Sequence, residues 1–292
     1  MVLKFITVST GIPERFHAAG VMAPMQSQCD AEWHIVVHTA AQRLRLLAGN
    51  VPGVAPGRVH VSGAIPAHPF AGAALQREWA EQNLIATGEW YVTVDDNVQH
   101  VEGLPKEKWP GEGGLTVEQA NSLRRQFVTR LLPVDIFDRT RAIIARADRL
   151  GSDIGAFATA GGNPRFLTRH HREVAPCNTR WSVQRKAGRT WVPWPDIMLE
   201  DLVRTVSVVA SGQAAPVDNW TSAYKLDGEP GGLGPSESRR GHQRADCLRM
   251  MQMYPGLLRW PKGKDWFLSF RKTNMGHVRR WLAETAAAGG GL

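Results

Sequence analysis

Residues 89–97 read Glu-Trp-Tyr-Val-Thr-Val-Asp-Asp-Asn, EWYVTVDDN. From Trp90 to Val94 the chain is aromatic or β-branched and carries no charge, which predicts a buried strand. That strand stops on Asp95 and Asp96, two adjacent carboxylates that repel each other unless a cation or a basic group compensates. Mg²⁺ or Mn²⁺, held by one or two carboxylates and completed by substrate phosphates, is the usual way to neutralise a diphosphate leaving group. Asp95 and Asp96 are therefore candidate metal ligands. An Asx-rich turn at a strand end is the bland alternative.

Working outward, the first half alternates strands with helical segments. Lys4–Val8, Trp33–Thr39 and Arg58–Ser62 read as strands, and Phe70–Asn83 as a helix. Strands nearly free of charge, separated by helices, imply a mainly parallel sheet covered on both faces. Ligands of such sheets bind beyond the carboxyl ends of the strands, where Thr10, Thr39 and Asp95 fall. Thr116–Gln126 and Phe137–Arg149 read as helices separated by a break at Pro133. Ile154–Thr159, Arg180–Gln184 and Trp220–Lys225 read as strands. A helix is expected from near Ile197 to Val209, and an amphipathic one over Glu237–Met253. With no internal repeat and no clean linker, the expectation is a single elaborated α/β domain over residues 1–272, followed by a C-terminal helix and flexible tail over 273–292.

The chain has 292 residues, 43% hydrophobic and 21% charged, a globular composition. No run reaches membrane-spanning length and the N-terminus does not read as a signal peptide. Three widely spaced cysteines with no CxxC pair support neither a disulfide framework nor a cysteine zinc site, so a cytoplasmic location is expected. The net charge of +8 and pI near 9.8 suggest a polyanionic partner. The excess is concentrated: eleven basic residues face four acidic ones between Asp138 and Arg189, and eleven face two between Arg239 and Arg280.

Further candidates follow. Glu200-Asp201, in MLEDLVRTVSVV, serves either as acidic residues at a helix start or as a general base with its support, with Asp201 favoured as base. KLDGEPGGLG, Lys225–Gly234, has four glycines that let backbone amides approach phosphates, Gly231 and Gly232 among them, but lacks the Gly-Lys-Ser/Thr of a P-loop. Arg240 and Arg244 share one helical face suited to a diphosphate or a nucleic-acid backbone. His242 is a candidate metal ligand. Arg259-Trp260-Pro261-Lys262-Gly263-Lys264-Asp265-Trp266 interleaves cations and aromatics, as phosphate contact with base stacking would need. The bland alternatives are a surface loop for the glycine segment, a solvated face for the arginine helix, and core tryptophans beside a solvated basic turn for Arg259–Trp266.

Together these pieces resemble a GT-A type glycosyltransferase. There a Rossmann-type nucleotide-binding sheet ends in an Asp-x-Asp-like element, and a glycine loop and a Glu-Asp pair complete the donor and acceptor sites. A C-terminal histidine often joins the metal. Asp95-Asp96-Asn97 departs from strict Asp-x-Asp. Gly161-Gly162 or Ile154–Ala160 stands for the intervening loop, and His242, with His277 behind it, for the histidine. More narrowly, GEWYVTVDDNVQ, SDIGAFATAGGNPRF and the glycine loop followed by an arginine-rich helix resemble the TET-associated DNA glycosyltransferases of bacteriophages. That resemblance implies transfer from UDP-glucose or UDP-N-acetylglucosamine to the hydroxymethyl group of 5-hydroxymethylcytosine in DNA, inside a bacterial host. It implies Thr10 and Arg15 on the nucleotide and Asp96, with Asp95, on Mn²⁺ or Mg²⁺. It further implies Asp201 as base beside Glu200, and Arg240 or Arg244 on the departing diphosphate. The rivals are a glycosyltransferase with a non-DNA acceptor, a nucleotidyltransferase, and a non-catalytic nucleic-acid-binding protein.

Overall fold

The structure is a computed structural model that describes residues 2–63, 72–109, 115–159, 168–178, 180–187, 197–225, 236–263, 268–271 and 274–287. The chain opens with β1 (Leu3–Val8), α1 (Ala19–Gln28), β2 (Ala31–Val37), α2 (Ala40–Ala48), β3 (Val59–Val61), α3 (Gly72–Leu84) and β4 (Trp90–Asp95). It continues through β5 (Val98–Gly103), α4 (Val117–Phe127), β6 (Thr129–Arg130), α5 (Pro133–Arg149), β7 (Ile154–Thr159), β8 (His171–Arg172) and β9 (Trp181–Arg185). The last part carries α6 (Glu200–Ala210), β10 (Val217–Lys225), α7 (Ser236–Met253), β11 (Leu258–Arg259), β12 (Ser269–Phe270) and α8 (Met275–Ala287).

One large sheet runs β3-β2-β1-β4-β9-β7-β10-β5-β6, with β8 beside β10. Its first four strands are parallel, as expected. Beyond β4 the sheet is mixed: β9 lies antiparallel between β4 and β7, β10 is parallel to β7, and β5 pairs antiparallel to β10. The α/β layout expected from the sequence is thus present, parallel in its N-terminal half and mixed beyond.

Strand alternation sorts the core into two layers. Phe5, Trp33, Ile35, Val92, Val94, Phe157, Trp181 and Val183 face a cluster that includes α1 and α5. Ile6, Val8, Val36, Tyr91, Ile154 and Ala156 face the opposite cluster, built with α3, α6, α7 and α8. On the first face Phe5 stacks on Trp33 at 4.7 Å and Phe157 on Trp181 at 5.7 Å. Both indoles find hydroxyl acceptors, Thr7 for Trp33 (2.9 Å) and Thr140 for Trp181 (3.1 Å), so their burial leaves no unpaired N–H. On the other face Tyr91, Thr93, Ser182 and Gln184 form a buried polar ladder across β4 and β9. Helix α8 joins that layer through Val278 and Trp281, whose indole donates to the Pro255 carbonyl.

Several boundaries differ from the sequence reading for identifiable reasons. Pro133 begins α5 instead of separating two helices, because proline at the first helical position loses no hydrogen bond. Thr39 leaves β2 to cap α2, in a reciprocal capping box with Gln42. Helix α6 starts at Glu200, and β10 begins at Val217, ahead of Trp220. Residues 161–167, the glycines 231 and 232, and Lys264, Asp265 and Trp266 lie outside the described residues.

Candidate active site

The carboxyl end of β4 gathers charge from three distant segments. The strand's alternation turns Asp95 to the same face as Tyr91 and Thr93, toward α3. Arg77 of α3, itself buried, donates from Nη2 to Asp95 Oδ1 at 2.8 Å, and its Nη1 bonds Glu200 Oε1 at the start of α6. Lys225, the last residue of β10, approaches Asp95 Oδ2 at 3.5 Å. Arg77 therefore ties together the two acidic pairs, Asp95-Asp96 and Glu200-Asp201, that lie about a hundred residues apart in the chain.

The four carboxylates differ in their surroundings. Both oxygens of Asp95 meet a cation. Asp96 follows the strand, and its backbone carbonyl accepts from Ala18 N at 2.9 Å, anchoring the start of α1. Burial, then repulsion from Asp95, push the Asp96 carboxyl up to about 6, against the opposing pull of a Ser9 hydrogen bond, Arg77 and Lys225. Glu200 and Asp201 also hold their protons more tightly than ordinary carboxylates, first because they are buried; Arg77 works against that shift in both. Asp201 spends Oδ1 on the Leu202 amide (2.7 Å), and no described side chain bonds its other oxygen. Two cations against four carboxylates leave room for a divalent ion. No described side chain forms an ion pair with Asp96 or Asp201, and such a set of carboxylate oxygens fits Mn²⁺ or Mg²⁺.

The turn after β1 borders the same strand end. Ser9 Oγ accepts from Gly11 N (3.2 Å), and Gly11 has φ +72°. A Cβ there would lie 2.6 Å from the Gln42 carbonyl, so only glycine lets this turn lie against α2. Thr10 is exposed. Arg15, at the end of the following 3-10 turn Pro13–Arg15, buries Nη1 without a hydrogen-bond partner, a donor available to a phosphate or base.

Arg240, His242 and Arg244 are exposed on α7, and His277 is exposed on α8, where it bonds Asn274. Arg77 and the pairing role of Lys225 escaped the sequence reading, because nothing local to α3 distinguishes Arg77 from a surface arginine.

A second group lies at the other end of β10. His170, His171 and Asp218 each offer a nitrogen or oxygen within 4.8 Å of one another, a set able to chelate a divalent metal. Asp218 lies at the start of β10 and Lys225 ends it, with a register break against β7 between Asp218 and Ser222, and His170, His171 and Asp218 form a group distinct from the residues that meet Asp95. No signal beyond the His-His dipeptide marks this cluster in the sequence.

No family model matches the chain, and no curated protein matches it. Among solved structures, a crystal structure of S. aureus TarS, residues 1–349, aligns over 98% of this chain and 71% of that chain, with 15% identity and a TM-score of 0.42. A likeness this distant assigns neither a family nor a substrate.

Proposed function

We propose that this chain is a glycosyltransferase that moves a sugar from a nucleotide-sugar donor, with its donor diphosphate at the carboxyl end of β4. The observation that carries the proposal is the convergence of Asp95, Asp96, Glu200 and Asp201 on Arg77 and Lys225 beside the first βα turn. Ligands of open α/β sheets bind at this edge, and adjacent carboxylates there are suited to a cation-bound diphosphate. A bound Mn²⁺ or Mg²⁺ would supply charge neutralisation of the leaving diphosphate, with Asp96, and Asp95 beside it, holding the ion.

The chain's own residues then divide the work. Arg15 meets the nucleotide, and Lys225 lies where it can add positive charge near the diphosphate. Arg77 fixes Glu200, which sets the start of α6 and with it Asp201. In an inverting transfer Asp201 takes the acceptor hydroxyl proton as the new C–O bond forms at the anomeric carbon and the bond to the diphosphate oxygen breaks. Its raised proton affinity in this buried setting suits that role.

For the acceptor, the hydroxymethyl group of 5-hydroxymethylcytosine in DNA is supported by the chain's charge of +8 and by its sequence resemblance. A glycan, protein or small-molecule hydroxyl suits the acidic site equally well and does not need the basic C-terminal surface. Incubation with UDP-glucose, UDP-N-acetylglucosamine and other nucleotide-sugars, with Mn²⁺ and with hydroxymethylated or unmodified duplex DNA, tests both levels. Mass spectrometry of the DNA and assay of released nucleotide are the readouts. Sugar on hydroxymethylated DNA alone is the expected product. Nucleotide release without a DNA product assigns a different acceptor, and no release from any donor overturns the glycosyltransferase reading.

A further inference from the structure

We infer that His170, His171 and Asp218 form a second metal site, for a transition metal of the zinc class, at the start of β10, the end opposite Lys225. Three observations converge on it. His171 and Asp218 sit directly opposite each other in the antiparallel β8–β10 pair, and His170 Nε2 lies 3.4 Å from Asp218 Oδ1. All three ligand atoms fall within 4.8 Å, a span that one ion with N and O bonds near ~2 Å closes with small side-chain rotations.

The site is also braced as metal sites are. The His170 ring is sandwiched between Trp220, at 3.9 Å and 4°, and His171, at 3.7 Å and 21°. Asp218 is oriented by the Trp220 amide (2.8 Å) and the Thr221 hydroxyl (2.7 Å), and Thr221 is itself held by Arg139 Nη1 at 3.0 Å. Such outer contacts fix ligand orientation before an ion arrives. Meanwhile His171 Nδ1 is buried with no hydrogen-bond partner. Coordination would give this stranded polar atom the partner it lacks.

The surroundings select the metal. The set has two imidazoles and one carboxylate, and Arg146 and Arg149 lie near His171. A hard cation held by charge alone, Mg²⁺ or Ca²⁺, is disfavoured beside two guanidiniums, whereas imidazole nitrogen favours Zn²⁺, Co²⁺, Ni²⁺ and Cu²⁺. Three protein ligands leave a coordination position for water or an acceptor group.

Chelator-stripped protein titrated with Co²⁺, followed by visible absorption and then Zn²⁺ competition, tests the inference without any activity assay. The expected result is one tight Zn²⁺ per chain, undisplaced by millimolar Mg²⁺. His171→Gln is expected to weaken Zn²⁺ by about 10–100-fold or more, since even outer-shell losses reach that range, while Asp96→Asn leaves it unchanged. His170→Gln serves if His171→Gln is not folded by circular dichroism. Absence of saturable Zn²⁺ binding, equal binding in the folded histidine variant, or loss of the site in Asp96→Asn overturns the inference.

Discussion

Replacing Asp96 by asparagine should stabilise the metal-free protein at neutral pH while disabling its chemistry. Folding raises the Asp96 carboxyl from its ordinary 3.8 to about 6, chiefly through burial and the neighbouring Asp95. An acid whose folded value is raised favours the folded state only below its ordinary range, and that advantage disappears as pH climbs through about 6. The full interval corresponds to about 3 kcal/mol at pH 8. Because Asp96 keeps part of its surface open to solvent, screening reduces this to about 1–2 kcal/mol. The asparagine side chain would keep the size and an oxygen for the Ser9 hydrogen bond without the charge. Thermal or urea unfolding in EDTA should therefore show Asp96→Asn above the wild type at pH 8, by roughly 2–4 °C per kcal/mol, and level with it near pH 4. In chelator-free buffer with the histidine site filled by Zn²⁺, saturating Mn²⁺ should raise the wild type and not the variant. A variant that is less stable than wild type at both pH values, or a difference independent of pH, refutes the assignment of Asp96 as an undercompensated buried carboxylate.

Other outcomes follow from neighbouring contacts. Arg77→Met leaves Asp95 and Glu200 without their shared cation and should cost about 3–5 kcal/mol at pH 8. The loss should shrink at pH 5, below the value of about 7 to which burial raises Glu200, as paired urea titrations would show. Arg204→Met breaks the buried two-point pair with Glu81, at 2.9 and 3.3 Å, and should cost a similar amount. Combining it with Glu81→Leu should recover much of that loss in the same assay. Trp181→Ala empties the centre of the aromatic layer and should cost about 3–5 kcal/mol by denaturation.

How much the sequence disclosed depends on whether the signal is local. Strands β1, β2, β4 and β7 are legible because burial on both faces leaves near-continuous apolar runs. Strand β5, VQHVEG, is not, since His100 and Glu102 interrupt its apolar positions and its pairing with β10 is remote in sequence. Helix α1 is obscured by Pro24 inside AGVMAPMQSQ. The capping box of Thr39 and Gln42 marks α2, yet Thr39 also extends the apolar run of β2, and the strand reading absorbed it. At the site, Asp95-Asp96 and Glu200-Asp201 stand out as acidic pairs. Arg77 does not, because a helical arginine reveals its partner only once α3 and α6 are packed. The histidine cluster is likewise assembled by β8–β10 pairing across 47 positions, from His171 to Asp218.

The central claim is that the end of β4 binds a nucleotide diphosphate with a divalent ion. Electron paramagnetic resonance of free Mn²⁺, titrated with protein and UDP after the histidine site has been filled with Zn²⁺, measures this directly. The account predicts a UDP-dependent loss of the free-ion signal at one site per chain, abolished by Asp96→Asn and retained by His171→Gln. Mn²⁺ uptake that ignores UDP, or that survives Asp96→Asn undiminished, contradicts it.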